Sequence, residues 1–159
     1  MAYKLDAQYE ARRTQALSMK ASSFQPGLAH GVIVDIGYPE AVVTVAALGD
    51  GRVGVWFSDG GGTAGSDEQT AQLGNELGLL AGALSHAMPP TNATPLPRPG
   101  EVKFYVLLND LTRVASGMID DLGQDRSQFS PLFHAAFRII NDLKVRNLVL
   151  DAKQQQAKD

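Results

Sequence analysis

A hairpin followed by a helix occurs twice in this chain, over 42–87 and again over 102–148, the second about 60 residues after the first. In the first, 41–48 is rich in Val and Thr. Gly49-Asp50-Gly51 then supplies residues that tolerate a positive φ, and 52–58 returns. On the return strand Val53, Val55 and Phe57 share one face, and Arg52, Trp56 and Ser58 the other. In the second, Val102, Phe104, Val106 and Leu108 alternate with Lys103, Tyr105 and Leu107, Asn109-Asp110 is the expected turn, and 111–119 returns.

The helix of the first unit is expected over 67–87, with Ser66 as cap and Gln69 completing a capping box. Its apolar stripe is Leu73, Leu77, Leu80 and Leu84, and Pro89-Pro90 ends it. The helix of the second unit is expected over 131–148, opened by Ser130 and Pro131 after a polar loop at 120–128. Its buried face is Leu132, Phe133, Ala136, Phe137, Ile140 and Leu143. Between the units, 88–100 is a stiff linker holding Pro89, Pro90, Pro95, Pro97 and Pro99, five of the eight prolines. Ahead of both, 4–22 reads as a helix and 31–37 as a β-branched strand bounded by glycines.

Two ββα units with one apolar face each predict an α+β fold: an antiparallel sheet of about five strands packed with helices, preceded by an N-terminal helix. The expected organisation is one domain over 1–150 and a flexible polar tail over 151–159. The order is similar to that of roadblock and profilin-like sandwiches, which run helix, two strands, helix, three strands, helix. The resemblance covers about 42–148, rests on element order, and carries no functional residue with it.

Composition narrows the function classes. With 44% hydrophobic and 19% charged residues the chain can build a core. A net charge of −3 lacks the basic excess of a dedicated nucleic-acid binder, so no nucleic-acid partner is expected. Zero cysteines exclude thiol catalysis and a disulfide framework. No apolar stretch approaches the roughly 18 residues of a membrane span, and the first residues have no apolar core of the signal-peptide kind. The expectation is a cytoplasmic protein with no membrane partner.

Several residues invite a chemical reading. Gly60, Gly61 and Gly62, between a strand and a helix N-terminus, are a candidate ligand loop with Trp56 beside it; Tyr38 and Tyr105 are further candidate walls. No Gly-Lys-Ser/Thr follows the glycines, and Asp67 and Glu68 place negative charge where a phosphate would sit. A nucleotide is therefore not expected there, and the default is a flexible turn. Gly74, Gly78 and Gly82 recur every four residues on one helix, at a cost of about 1 kcal/mol each relative to Ala. Close backbone packing, against Phe133 and Phe137 or against a second copy of the chain, is the expected compensation.

The remaining candidates read more plainly. His30, His86 and His134 show no metal-ligand spacing and are expected at the surface or near helix ends. Asp120, Asp121 and Asp125 lack the EF-hand pattern and read as a solvated loop. Arg12-Arg13 reads as a wet helix face. Pro95-Leu96-Pro97-Arg98-Pro99 has polyproline-ligand character but suits a spacer equally well.

No nucleophile, base and orienting group form a set, and no cofactor or metal is expected. The sequence favours a non-enzymatic interaction or regulatory module, partnered by a second copy of itself or by another protein. The alternative is a small-ligand-binding protein or enzyme with a pocket near 60–65.

Overall fold

In the computed structural model, residues 3–18, 29–108 and 111–158 are described, with side chains to Lys144. The element order is α1 (Ala7–Leu17), β1 (Gly31–Gly37), β2 (Val42–Leu48), β3 (Val53–Phe57), β4 (Gly62–Gly65), α2 (Glu68–Leu84), β5 (Pro90–Thr91), β6 (Glu101–Leu107), β7 (Thr112–Met118), α3 (Ile119–Gly123) and α4 (Ser130–Lys158). A 3₁₀ turn, Ser85–Ala87, follows α2.

All strands join one antiparallel sheet in the order β4-β3-β2-β1-β6-β7-β5. The expected α+β class with an antiparallel sheet is therefore present, but with seven strands rather than about five. β4 and β5 make the difference. Gly62–Gly65 has too little side-chain alternation to read as a strand, yet its backbone pairs with Val53–Trp56 of β3. Pro90-Thr91, inside the linker, caps the other edge against Thr112 and Arg113. Four strands, not two, thus precede α2, a departure from the roadblock-like order. These short additions pair with part of the outer strand of each expected hairpin, β4 with Val53–Trp56 of β3 and β5 with Thr112 and Arg113 of β7.

β1 lies in the middle, and its whole length is buried because helices cover both faces. Val32, Val34 and Ile36 face the layer of α2, α3 and α4, with Val45, Val55, Phe104, Leu77, Leu132 and Ile139 in the same core. Ile33 faces the opposite layer, where Ala16 of α1 packs over Ala46, Tyr105 and Leu107. The period of two thus places neighbouring residues of one strand in two separate cores.

Other boundaries differ for local reasons. α1 covers 7–17 of the expected 4–22, because Asp6 caps it by accepting from the N–H groups of Gln8 and Tyr9; 19–22 lie outside the described residues. α2 is capped by Asp67, which accepts from the Thr70 N–H at 2.9 Å, not by Ser66. The 120–128 segment is not all loop: Ile119–Gly123 forms a helical turn directly after β7, with Leu122 fully buried. The segment 151–158, expected as a flexible tail, continues the helix of α4. The expected turn residues Asn109 and Asp110 lie outside the described residues.

Candidate functional site

Two features stand on the α1 side of the sheet. The first is a buried polar cluster around Asp35, the one acidic residue of β1. Its carboxylate receives Arg13 Nη2 at 2.6 Å and Nε at 3.1 Å, and the Thr44 hydroxyl at 2.6 Å. Thr44 Oγ1 in turn lies 2.7 Å from the Tyr9 hydroxyl. Arg13 also donates to the Thr94 carbonyl at 2.8 Å and stands over the Tyr105 ring.

This cluster ties three pieces of chain together: α1, the central strands and the proline-rich linker. Tyr105 donates to the Pro95 carbonyl and Tyr3 to the Pro97 carbonyl, so the linker is strapped across this face rather than projecting from it. Burial, reinforced by the Asp35 charge, pushes the Tyr9 hydroxyl up to about 12. Burial disfavours the Arg13 charge, but the hydrogen bonds and charge of Asp35 outweigh it and hold the guanidinium above its ordinary range. Arg13 is therefore a largely covered structural cation, its side chain only 12% exposed, not part of a wet face as expected. The sequence signal was Asp35 itself, a carboxylate in an otherwise apolar strand, which demands a buried partner.

The second feature is a cleft of about 210 Å³ beside this cluster. Its floor is a row of small residues in register across three strands, Ala46 of β2, Gly54 of β3 and Ala64 of β4. One wall is the indole of Trp56, which folds back along its own strand. A Cβ on Gly54 would lie 2.6 Å from Trp56 Cζ2, and one on Gly62 would lie 2.8 Å from its Cδ1. The indole thus occupies space that only glycine leaves at both positions. The opposite wall comes from α1, through Arg12, Gln15 and Ala16, and Leu48 and Arg52 close the end. Arg52 pairs with Asp50 at 2.7 Å, an exposed ion pair in a tight turn. Among the described residues, Arg12 has no ion pair or side-chain hydrogen bond.

The candidates from sequence separate into two groups. Trp56 and Gly62 come together, as side chain and the space beside it. Gly60 and Gly61 form the β3–β4 turn, with φ of 119° and 88°. Their backbone groups serve that hairpin: Gly60 donates to Phe57 O and Gly61 O accepts from Phe57. β4 then separates them from the N-terminus of α2, where Asp67 is the cap.

Gly74 of α2 faces the sheet, where a Cβ would lie 2.8 Å from Val53 Cγ2, so its close approach is to β3, not to Phe133 or Phe137. Gly78 has open space at that position, and Gly82 is half-buried. Tyr38 packs half-buried against the larger core, away from the cleft. Tyr105 lies in the smaller core on the cleft's side of the sheet without lining it.

The histidines and aspartates do not converge. His30 is buried at the start of β1, contrary to the expected surface position, because its backbone bridges Leu107 of β6 and Gly49. His86 contacts the Ala83 carbonyl, and His134 lies 2.8 Å from Asp125 at the surface. Asp121 pairs with Arg126. Among the described residues, no group of three or more His, Cys, Asp or Glu could hold a metal ion, and no helix is long and apolar enough to cross a membrane.

No protein-family model and no curated protein matches this chain.

Proposed function

We propose that this chain is a small-ligand-binding protein whose ligand lies against Trp56 in the cleft between α1 and the β2–β4 strands. The observation that carries the reading is the placement of the sole tryptophan. Its ring fills the space at two glycines and presents a flat wall over a floor of Ala46, Gly54 and Ala64. A mostly apolar concavity with a few polar groups at its rim is the usual form of a small-molecule site. Its lining is aliphatic apart from Trp56, Arg12, Gln15 and Arg52, side chains that stack or hydrogen-bond, which favours binding over bond-breaking chemistry.

Because Trp56 is the only tryptophan, its fluorescence reports this cleft alone. A panel of single-ring compounds should include some that change the emission saturably. Ala64→Phe, on the exposed edge strand, fills the cleft and should abolish that response while leaving the far-ultraviolet circular dichroism unchanged. A panel without any saturable response, or one whose response survives Ala64→Phe, counts against the reading.

A second reading, self-association, is favoured by the outer side of α2. Leu79 is 58% exposed there, the most exposed of the large apolar side chains among the described residues, and Gly78 beside it leaves open space. Light scattering at tens of micromolar tests it. A mass near the 17.0 kDa of one chain removes this reading, and Gly78→Leu should dissociate a dimer built on this face.

A further inference from the structure

We infer, resting on the reading of the Trp56 cleft given above, that its ligand is a large apolar side chain of an extended peptide. The peptide adds as a further strand to the outer edge of β4 and carries basic residues toward its ends.

The floor of the cleft runs out at a strand edge. Ala46, Gly54 and Ala64 cross β2, β3 and β4 in register, and β4 is the last strand on that side of the sheet. Phe57 N–H donates to Gly61 O at 3.1 Å, so Gly61 turns its carbonyl toward β3. By the alternation of an antiparallel ladder Thr63 and Gly65 also face β3, while Gly62 and Ala64 turn their backbone groups outward. Both are exposed, and among the described residues no strand pairs with them on that side. A strand laid antiparallel along this edge gains four backbone hydrogen bonds, two at Gly62 and two at Ala64.

Register then fixes which side chain enters. A peptide residue opposite Ala64 carries its side chain on the face of Ala64 and Gly54, which is the face of the cleft. On that face β4 bears only Gly62 and the Ala64 methyl group, so the way from the edge to the indole is open. A volume of about 210 Å³ is the share of roughly seven liquid waters, below the roughly 300 Å³ at which drug-sized pockets begin. One aromatic or leucine side chain fits. Strand addition with a pocket for an alternate side chain is a recurring mode of peptide recognition.

A second copy of β4 does not suit this edge. Its side chains are Gly, Thr, Ala and Gly, so pairing two copies leaves both clefts empty. It also supplies only four residues a side, against about 20–30 in a standard interface. Charge sets the ends of the peptide. The run 60–66 is uncharged, the exposed acids Asp59 and Glu68 stand on either side of it, and 53–97 contains no Lys or Arg.

The test titrates the intact protein with acetyl-Lys-Thr-Val-Phe-Val-Thr-Lys-amide, which holds no tryptophan, and reads Trp56 emission. The peptide should bind about tenfold or more tighter than N-acetylphenylalaninamide, and tighter by a similar factor than the same peptide with alanine for phenylalanine. N-methylation at the phenylalanine removes a donor aimed at Ala64 and should weaken binding about tenfold. N-methylation at the following valine, whose N–H points away from β4, should leave it nearly unchanged. Glutamate for both lysines should weaken binding, by a margin that shrinks as salt is raised.

N-acetylphenylalaninamide binding as tightly as the peptide, or equal losses from the two N-methylations, overturns the added strand while leaving the cleft as a site. An alanine peptide as tight as its parent overturns the entry of the side chain, and a glutamate peptide as tight as the lysine one overturns the basic ends. Silence from every compound, with Trp56 emission unchanged, overturns the cleft reading itself and this inference with it.

Discussion

Arg13 reaches from α1 to the carboxylate of Asp35 at 2.6 Å, and at that contact Asp35 is fully buried and Arg13 only 12% exposed. α1 offers the sheet few large apolar residues, chiefly Tyr9, Ala16 and Leu17, so this ion pair fixes where the helix sits. The α1 residues that line the Trp56 cleft, Arg12, Gln15 and Ala16, lie within one turn of Arg13. The polar cluster therefore holds the cleft's geometry although it does not line it.

Removing one partner should be far worse than removing both. Arg13→Met leaves the Asp35 carboxylate buried with only Thr44 for support, and should cost about 3–5 kcal/mol. Arg13→Met with Asp35→Leu removes both charges and should recover most of that loss, since buried pairs often exchange for apolar residues at little net cost. Urea melts of the two single variants and the double variant measure the coupling.

Alkaline pH should weaken the fold through Tyr9. Its hydroxyl is raised from 10.0 to about 12, so folded and unfolded chains both hold the proton below pH 10, where this stabilisation is complete. Between about pH 10 and 12 the unfolded chain releases the proton and the folded chain keeps it, so stability falls across that window. Tyr105, raised by burial and then by the Asp35 charge, acts in the same direction. Tyr9→Phe should lose about 1 kcal/mol at neutral pH with the Thr44 contact, and show a shallower fall above pH 10 in thermal melts.

The parts of the fold legible in the sequence are those where side-chain pattern and backbone agree. β2, β3 and β6 carry β-branched or alternating residues, and the capped, leucine-bearing segment became α2 with Leu77 in the core. β4 was illegible because two of its four residues are glycines, and its strand geometry comes from pairing with β3. β5 is a two-residue contact that no periodicity can announce. At the site, Trp56 could be placed on a strand face, but its wall across the cleft could not. That wall depends on Arg12 of α1 docking over strands more than thirty residues away, a position set by the Arg13–Asp35 contact.

Gly74 and Gly78 should respond oppositely to alanine. Both substitutions gain about 1 kcal/mol of helix propensity. At Gly78 nothing opposes that gain, and the variant should melt at a higher denaturant concentration. At Gly74 the new methyl meets Val53 Cγ2 at 2.8 Å, and valine is too short and stiff to move aside cheaply. Overpacking of about 1–3 kcal/mol should exceed the propensity gain and leave Gly74→Ala less stable by about 1 kcal/mol.

Gly54→Ala should move the tryptophan. The added methyl would lie 2.6 Å from Cζ2 and 2.8 Å from Cε2 of Trp56, inside any permitted contact, and the ring lies against the same strand. The strand cannot retreat, because Gly54 is paired with Ala46 on one side and Ala64 on the other. The indole must therefore swing outward over the cleft, giving up contact with the sheet and entering water. Emission should shift to the red and become easier to quench with iodide, at a stability cost of about 1–3 kcal/mol. An unshifted spectrum would mean that the ring does not lie over Gly54, and would take from the cleft the wall on which its reading depends.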